Sequence, residues 1–221
     1  MLFDFIKPKE GAVVPGLKYV PTSAPERDDD EDHVPWARSI AHGREFSEEN
    51  KKILRREMKN LSKLTSILEI GVCKYKYKAS SSKILMEEKP KDCVYLGVDI
   101  LDKSSLNKPA SNVNTIMCSS FERGKIKARL KELGVEKVDF LMIDGWHSIN
   151  AVVNDWQFTE ILSDNGVVLF HDTNAHTGPV AVLDAIDQDL WQVEKLCLEK
   201  KKNKKGSLIF SDWGIAVVRK Q

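Results

Sequence analysis

Two apolar segments of the sequence each end in residues that can carry out acid–base or metal chemistry. The segments are residues 138–143 and 166–170. Asp144 follows the first segment, with His147 three residues later, and His171 and Asp172 directly follow the second. Apolar runs of this length are typical of strands buried on both faces of a parallel sheet. Because such sheets bind ligands at the carboxyl ends of their strands, we expect these two acids and two imidazoles at one edge.

Two earlier apolar segments also end in residues that suit ligand binding. Glu69 and Gly71 close the first of them, and Asp99 closes the segment at 95–99. An acid at the end of a second strand can accept hydrogen bonds from both hydroxyls of a ribose, and a glycine after the first strand lets a ligand approach the backbone. Each residue alone also has an ordinary explanation, since acids at strand ends often cap turns.

The elements that must position these residues alternate between strand and helix patterns. Strands are predicted at 67–72, 93–99, 113–118, 138–143, 166–171, 191–198 and 207–218, and helices at 48–62, 80–88, 122–133, 149–162 and 179–189. Alternation of this kind predicts a parallel sheet with right-handed crossovers. The last two strands are joined only by a lysine-rich turn, which requires an antiparallel hairpin at the sheet edge. The fold class is therefore α/β, a doubly wound, mostly parallel seven-stranded sheet with an antiparallel C-terminal hairpin.

The first part of the chain differs in composition from the rest. Residues 1–36 contain five of the eight prolines and an acidic run at 28–32, without sustained periodicity. We expect residues 1–46 to form an irregular arm, which with the first helix lies over the substrate pocket as a lid. Residues 47–221 are expected to form one α/β domain.

Composition and charge exclude several classes of partner. Lys plus Arg total 34 and Asp plus Glu total 33, for a net charge of +1, so no overall field favours nucleic acid or an anionic membrane. The sequence has no apolar run of about 18 residues and no signal-peptide pattern at its start. Its four cysteines lack the spacing of a zinc site or a disulfide framework. We expect a soluble, cytoplasmic protein that acts on a small molecule; homo-oligomer formation is left open.

In this order, the strand ends resemble those of class I S-adenosylmethionine-dependent methyltransferases. The matching features are Glu-Ile-Gly at 69–71, Val-Asp at 98–99, Cys-Ser-Ser-Phe at 118–121, Ile-Asp-Gly-Trp-His at 143–147 and His-Asp at 171–172. More narrowly, the chain resembles the branch that contains small sugar and natural-product O-methyltransferases. The resemblance covers about residues 64–219. It implies S-adenosylmethionine as cofactor and a hydroxyl of a small molecule or sugar as methyl acceptor.

The resemblance also implies a cofactor site. Glu69 and Gly71 would face the methionine end of the cofactor, and Asp99 the ribose hydroxyls. Ser119 and Phe121 would face the adenine. Asp144, after the fourth strand, would lie beneath the sulfonium.

The first loop departs from the pattern of that family. Residues 72–82 are rich in lysine, tyrosine and serine and contain no glycine, whereas the family usually has a glycine-rich loop here. The serine cluster that includes Ser81 could replace the glycines by hydrogen bonding to the cofactor at a helix N-terminus. Alternatively, the bulky residues at 74–78 exclude the cofactor, and the chain is a non-catalytic binding module.

A divalent metal is a second feature of the expected site. Asp144 and Asp172 could supply oxygen ligands to Mg²⁺ or Mn²⁺, with His171 as a further ligand or as support for the two acids. The resemblance to metal-dependent O-methyltransferases expects an amide or acid directly after Asp172, where this chain has Thr173.

His147 is the candidate general base. A neutral imidazole can accept a proton from a substrate hydroxyl near neutral pH. The alternative is that His147 caps the helix that opens at Ser148, or holds Asp172 in place. His176, on the loop before the next helix, is expected either to reach the substrate or to face solvent.

Overall fold

The computed structural model describes residues 13–21, 46–72, 80–174, 176–202 and 208–221. Within these residues the α-helices are α1 (Glu48–Asn60), α2 (Ser81–Glu88), α3 (Arg123–Glu132), α4 (Ile149–Trp156) and α5 (Thr177–Ala185). The strands are β1 (Ser66–Ile70), β2 (Val94–Asp99), β3 (Val113–Met117), β4 (Val138–Ile143), β5 (Leu162–His171), β6 (Trp191–Leu196), β7 (Lys200–Lys202), β8 (Leu208–Phe210) and β9 (Ile215–Lys220). None of the helices in these ranges is long and apolar enough to cross a membrane.

Seven of the strands form one sheet in the order β3-β2-β1-β4-β5-β9-β6. The first five pair in parallel, whereas β9 lies antiparallel between β5 and β6. The predicted fold class is therefore confirmed. The strand order reverses direction between β1 and β4, and open sheets of this kind bind their ligands at the carboxyl end of such a switch point.

The C-terminal hairpin is more complex than the sequence analysis predicts. The single strand expected at 207–218 is divided into β8 and β9 by residues 211–214, and β8 pairs with β7 in a separate two-stranded sheet. Gly214 has a φ of +87° and donates its N–H to a carboxylate oxygen of Asp212 at 2.8 Å, which turns the chain at this point. The edge of the main sheet is consequently β6, while β9 is an interior strand.

Apolar side chains pack on both faces of the sheet, as expected for its buried strands. Leu68 and Leu141 belong to the layer covered by α3, α4 and α5, whereas Ile67 and Phe140 belong to the layer covered by α1 and α2. Side chains of a strand alternate between faces, so Glu69 lies in the second layer with Ile67.

The described part of the N-terminal arm packs at the amino-terminal edge of the sheet. The indole nitrogen of Trp156 donates to the carbonyl of Pro15 at 3.0 Å. A Cβ on Gly16 would lie 2.6 Å from the indole nitrogen of Trp191, the first residue of β6. Residues 13–21 therefore lie at the opposite edge from the strand ends discussed above. The rest of the arm lies outside the described residues, so the expected lid stays a prediction.

Candidate functional site

The sheet register places four of the predicted site residues in one row. β2 with β1, β1 with β4 and β4 with β5 are paired in register up to their last apolar residues. The next residues along these strands are Asp99, Gly71, Asp144 and His171, which consequently follow one another across the carboxyl edge of the sheet.

Gly71 permits a close approach between two of these strand ends. Its φ is +88°, and a Cβ at this position would lie 2.0 Å from the carbonyl oxygen of Asp144. The N–H of Asp144 donates to the carbonyl of Ile70 at 2.9 Å. Only glycine avoids both the steric overlap and the left-handed strain, and the predicted contact of Gly71 with the cofactor stays a prediction.

His171 lies between two carboxylates. Its Nδ1 is 3.1 Å from Oδ1 of Asp144, to which it donates a hydrogen bond, and 3.1 Å from Oδ1 of Asp172. The imidazole is 3% exposed, and Phe46, which precedes α1, packs on it with the ring centroids 5.1 Å apart. Asp172 has a φ of +59°, a left-handed conformation that aspartate tolerates better than most residues. The predicted pair of acids is thus joined through a buried imidazole.

His147 and His176 lie on the other side of Asp172. Nε2 of His147 is 2.9 Å from Oδ2 of Asp172, although the direction of its N–H does not align with that oxygen as a hydrogen bond. The His147 and His176 rings are stacked with centroids 4.0 Å apart. The Trp213 ring also stacks on that of His176, with the centroids 5.9 Å apart. Ser148, not His147, caps α4 with its side chain.

Burial and charge perturb the protonation of this group. Burial opposes the charged form of His171, yet the charges of Asp172 and Asp144 raise its pKa well above the usual range. Burial would raise the pKa of Asp172, but the charge of His171 and the contact with His147 hold it well below the usual range. Burial also lowers the pKa of His147, but the contacts with Asp172 outweigh this effect, so that the pKa is raised above 6.5.

Several polar atoms around these residues are buried without a hydrogen-bond partner among the described residues. They are Nε2 of His147, Nε2 of His171, Oγ1 of Thr173 and Nε1 of Trp213. Unsatisfied polar atoms are costly in a protein interior and rare in native structures. Their concentration at one edge of the sheet marks a place where a polar ligand, ion or water is expected.

Glu69 is fully buried beneath this edge. Its Oε1 accepts hydrogen bonds from the hydroxyls of Ser81 at 2.8 Å and Ser82 at 3.0 Å, and its Oε2 accepts one from the hydroxyl of Tyr95. Burial raises the pKa of Glu69 to about 7. Glu69 and Ser81, both predicted to contact the cofactor, therefore face each other and fix the first turn of α2. The loop at 73–79, which departs from the family pattern, lies outside the described residues.

The other residues predicted to bind the cofactor lie at the carboxyl ends of β2 and β3. They are Asp99, Ser119 and Phe121. Oδ2 of Asp99 accepts a hydrogen bond from the N–H of Val72 at 3.1 Å, and Oδ1 accepts one from the N–H of Leu101 at 2.7 Å. The N–H of Phe121 donates to the hydroxyl oxygen of Ser119 at 3.3 Å. These bonds fix the position of the Asp99 carboxylate at the end of β2 and the shape of the turn after β3. Because β2 and β3 are neighbours in the sheet, the two features lie side by side.

Two residues beside the site, Trp213 and Asp155, are not predicted from the sequence, and for His176 both a position toward the substrate and one toward solvent are expected. His176 is 8% exposed and does not face solvent, and Trp213 reaches it from a distant loop. Asp155 on α4 is fully buried, its Oδ2 lacks a hydrogen-bond partner, and burial raises its pKa to about 7. A Cβ on Gly145 would lie 3.4 Å from that oxygen. An acid inside the apolar face of a predicted helix is a signal that could have identified Asp155.

Two sets of side chains have the composition of a metal site. The first is Asp144, His171 and Asp172, and the second is His147, Asp172 and His176; in each set the ligand atoms lie within 4.8 Å of one another. The first set contains the residues predicted to bind a metal. Two carboxylates with one imidazole fit a divalent cation such as Mn²⁺ or Mg²⁺.

Comparison with known proteins identifies the fold. No protein-family model and no curated protein sequence matches the chain. A proposed rRNA methylase from Clostridium thermocellum superposes with a TM-score of 0.54 at 11% identity, over 77% of this chain and 94% of that one. MycE, a methyltransferase from the mycinamycin biosynthetic pathway solved with Mg, SAH and mycinamycin VI, superposes with a TM-score of 0.51 at 15% identity, over 77% of this chain. The alignment covers 49% of MycE, so this chain spans about half the length of that protein.

These similarities, together with the strand order, define the class of architecture. The chain has the Rossmann-like methyltransferase fold, with a mostly parallel seven-stranded sheet, helices on both faces and an antiparallel two-stranded hairpin. Because the sequence identities are below one fifth, the comparisons establish the fold alone. The chemistry must be argued from the residues at the carboxyl edge of the sheet.

Proposed function

We propose that this protein is an S-adenosylmethionine-dependent methyltransferase that methylates a hydroxyl group of a small molecule or sugar. The observation that supports the proposal most strongly is the row of Asp99, Gly71, Asp144 and His171 across the strand-switch edge. The structural neighbour MycE was solved with SAH and mycinamycin VI, which is consistent with such a site on this fold.

In this proposal the cofactor lies over the carboxyl ends of β1, β2 and β3. Gly71 offers its backbone without a side chain. Each oxygen of Asp99 accepts one backbone hydrogen bond, and Nζ of Lys103 lies 3.7 Å from Oδ2. The second lone pair of Oδ1 is therefore the one best placed to accept from a ribose hydroxyl. Ser119 and Phe121 would face the adenine. Glu69 contributes indirectly, since with Ser81 it fixes the helix that follows the first loop.

His147 is the proposed proton acceptor. When bound, the cofactor supplies an electrophilic methyl group on a sulfonium sulfur. With the cofactor bound, the acceptor hydroxyl would give its proton to Nδ1 of His147, the ring nitrogen that does not face Asp172, as its oxygen takes the methyl group and the electrons of the broken carbon–sulfur bond stay on sulfur. Asp172, 2.9 Å from Nε2 on the other side of the ring, would stabilise the imidazolium that forms. Asp144 would lie beneath the sulfonium.

Asp144, Asp172 and His171 are the residues that would hold a Mg²⁺ or Mn²⁺ ion. Their ligand atoms lie close enough to share one ion. Such an ion, when bound, lowers the pKa of a coordinated hydroxyl. The residues of the chain contribute the negative charge that attracts the ion, and His171 keeps the two carboxylates apart.

Methyl transfer from labelled S-adenosylmethionine to a panel of hydroxylated acceptors tests the proposal. The panel includes sugars, glycosylated natural products, catechols and an RNA, because some structural neighbours are described as rRNA methylases. Transfer to a small hydroxylated compound is expected, and His147→Gln should reduce it while Asp164→Asn, an exposed control, should not. Transfer only to RNA would contradict the proposed acceptor class. A lack of both cofactor binding and transfer would instead support a non-catalytic module.

A further inference from the structure

Three aromatic rings stack beside the carboxylate of Asp172. The rings of His147 and His176 have centroids 4.0 Å apart and an interplanar angle of 20°. The ring of Trp213 lies 5.9 Å from that of His176, with an angle of 23° between the two planes. Because neighbouring planes are nearly parallel, the in-plane lone pairs of the two imidazoles do not converge on one point. The arrangement therefore suits the holding of a ring in one plane, not the sharing of an ion.

Main-chain contacts hold the three rings in these positions. The N–H of Gly178 donates to the carbonyl of His147 at 3.1 Å. A Cβ on Gly178 would lie 2.2 Å from that carbonyl oxygen, so glycine lets the first turn of α5 approach the loop after β4. The carbonyl of Trp213 accepts a hydrogen bond from the N–H of Asn174 at 2.8 Å. The rings of His147, His176 and Trp213 thus come from separate loops that the backbone fixes against one another.

Histidine is an unusual residue for the position that His176 occupies in α5. His176 is the N-cap residue of this helix, and its side chain makes no capping hydrogen bond. N-cap positions favour Ser, Thr, Asp and Asn, whose side chains accept hydrogen bonds from the N–H groups of the first turn. The helices α1, α2 and α4 follow this rule, with Ser47, Ser80 and Ser148 as capping residues. The start of α5 therefore does not explain the histidine, whereas the ring stack does.

The ring of His147 needs a support of this kind. Its Nε2 lies 2.9 Å from Oδ2 of Asp172 without an aligned hydrogen bond, so this contact alone does not define the ring plane. The last side-chain torsion of histidine has only broad preferences, and packing must therefore set the plane. The His147 side chain is 30% exposed, so an acceptor can reach it. His176, at 8% exposed, is enclosed and suited to a supporting role.

We propose that His176 is a positioning residue for the methyl transfer and that Trp213 supports it. The face of the His176 imidazole fixes the plane of His147, so that Nε2 stays on Asp172 and Nδ1 is presented to the acceptor hydroxyl. This inference rests on the proposed function, in which His147 accepts the proton. Misplacement of a reacting group by about 1 Å can lower a rate about 100-fold. Loss of the stack should therefore slow the chemical step while substrate binding is retained.

Steady-state kinetics of variants at His176 tests the proposal. His176→Phe keeps a flat ring for the stack but has no ring nitrogen, and its kcat is expected to stay within about threefold of the wild-type value. His176→Ala removes the ring and should lower kcat at least about tenfold, while KM for S-adenosylmethionine changes less than about twofold. Tyr19→Ala, which removes an exposed aromatic ring at the opposite edge of the sheet, is the control and should keep the wild-type kcat.

A third variant, His176→Asn, separates positioning from a purely structural role. Asparagine supplies a capping side chain for α5, so this variant should melt at a higher temperature than His176→Ala, as followed by circular dichroism. Because it lacks an aromatic ring, it should remain as slow as His176→Ala. Three results would overturn the proposal. They are a wild-type kcat in His176→Ala, equal recovery of the rate in His176→Asn and His176→Phe, or a loss confined to KM for the cofactor.

Proton NMR of the His147 ring tests the geometry without any methyl transfer. A ring held face to face with another aromatic ring has its proton resonances shifted upfield by the ring current of its neighbour. This shift is expected in the wild type and in His176→Phe and should be lost in His176→Ala. Unchanged resonances in His176→Ala would contradict the proposed support. If the wild type transfers no methyl group to any acceptor, the proposed function fails, whereas the NMR result still decides whether His176 orients His147.

Discussion

Replacing Glu69 by glutamine is expected to weaken the dependence of folding stability on pH. Glu69 is fully buried, and burial raises its pKa from 4.5 to about 7. In the unfolded chain this carboxyl meets water and its pKa returns to the ordinary value. Between the two pKa values the folded protein binds more protons than the unfolded one. The contribution of Glu69 to stability is therefore highest below pH 4.5 and falls as pH rises toward 7.

The size of this effect follows from the two pKa values. The difference between 4.5 and about 7 corresponds to about 3.5 kcal/mol, at about 1.4 kcal/mol for each pKa unit. About 2.5 kcal/mol of this is lost between about pH 5 and pH 8. Asp155, whose pKa burial raises from 3.8 to about 7, loses a comparable amount in the same interval. Glu69→Gln should thus remove roughly half of the loss due to these two carboxyls.

Urea unfolding at about pH 5 and about pH 8 measures this difference. Glu88→Gln is the matched control, because Glu88 lies at the surface end of α2, where a hydrogen bond from Arg55 lowers its pKa instead of raising it. The control should keep the wild-type loss of stability between the two pH values. If Glu69→Gln loses as much stability as the wild type over this interval, the carboxyl is not protonated in the folded state and the reasoning is refuted.

The remaining predictions concern the edge of the sheet. Gly71→Ala should lower the melting temperature by several degrees or prevent folding, because its Cβ would lie 2.0 Å from the carbonyl oxygen of Asp144. Gly124→Ala is the control, since a Cβ there meets nothing within 4 Å and should not lower the melting temperature. Equal melting temperatures of the two variants would contradict the prediction. His147→Gln should reduce methyl transfer about 100-fold or more, measured with labelled cofactor and a folded variant. Although burial lowers the pKa of His147, Asp172 raises it above 6.5, so the wild-type rate should increase with pH through a pKa above that value, and a flat profile would argue against His147 as the base.

The sequence predicts the sheet and its edge well because the strands are buried on both faces. Apolar runs that end in an acid, a glycine or a histidine are visible without a structure, and parallel pairing brings their ends together. This is why Asp99, Gly71, Asp144 and His171 could be assigned to one edge. The position of β9 between β5 and β6 could not be assigned in this way, because an apolar strand carries no local mark of which neighbours it pairs with.

The orientation of individual side chains is predicted less well. Glu69 shares its strand face with Ile67, and the two-residue alternation of a strand could have indicated that it points into the layer beneath α1 and α2. The approach of Trp213 to His176 depends on tertiary contacts between residues far apart in the sequence. No local pattern encodes that contact, and a loop histidine before a helix is usually solvated.

Calorimetric titration with S-adenosylhomocysteine tests the central claim, cofactor binding at this edge, most directly. Asp99→Ala removes the carboxylate proposed to bind the ribose, and Asp102→Asn, three residues further along the same loop, is the matched control. The proposal predicts saturable binding by the wild type and the control, weakened at least tenfold by Asp99→Ala. The absence of binding at millimolar ligand, or equal affinity in Asp99→Ala and the wild type, would contradict it.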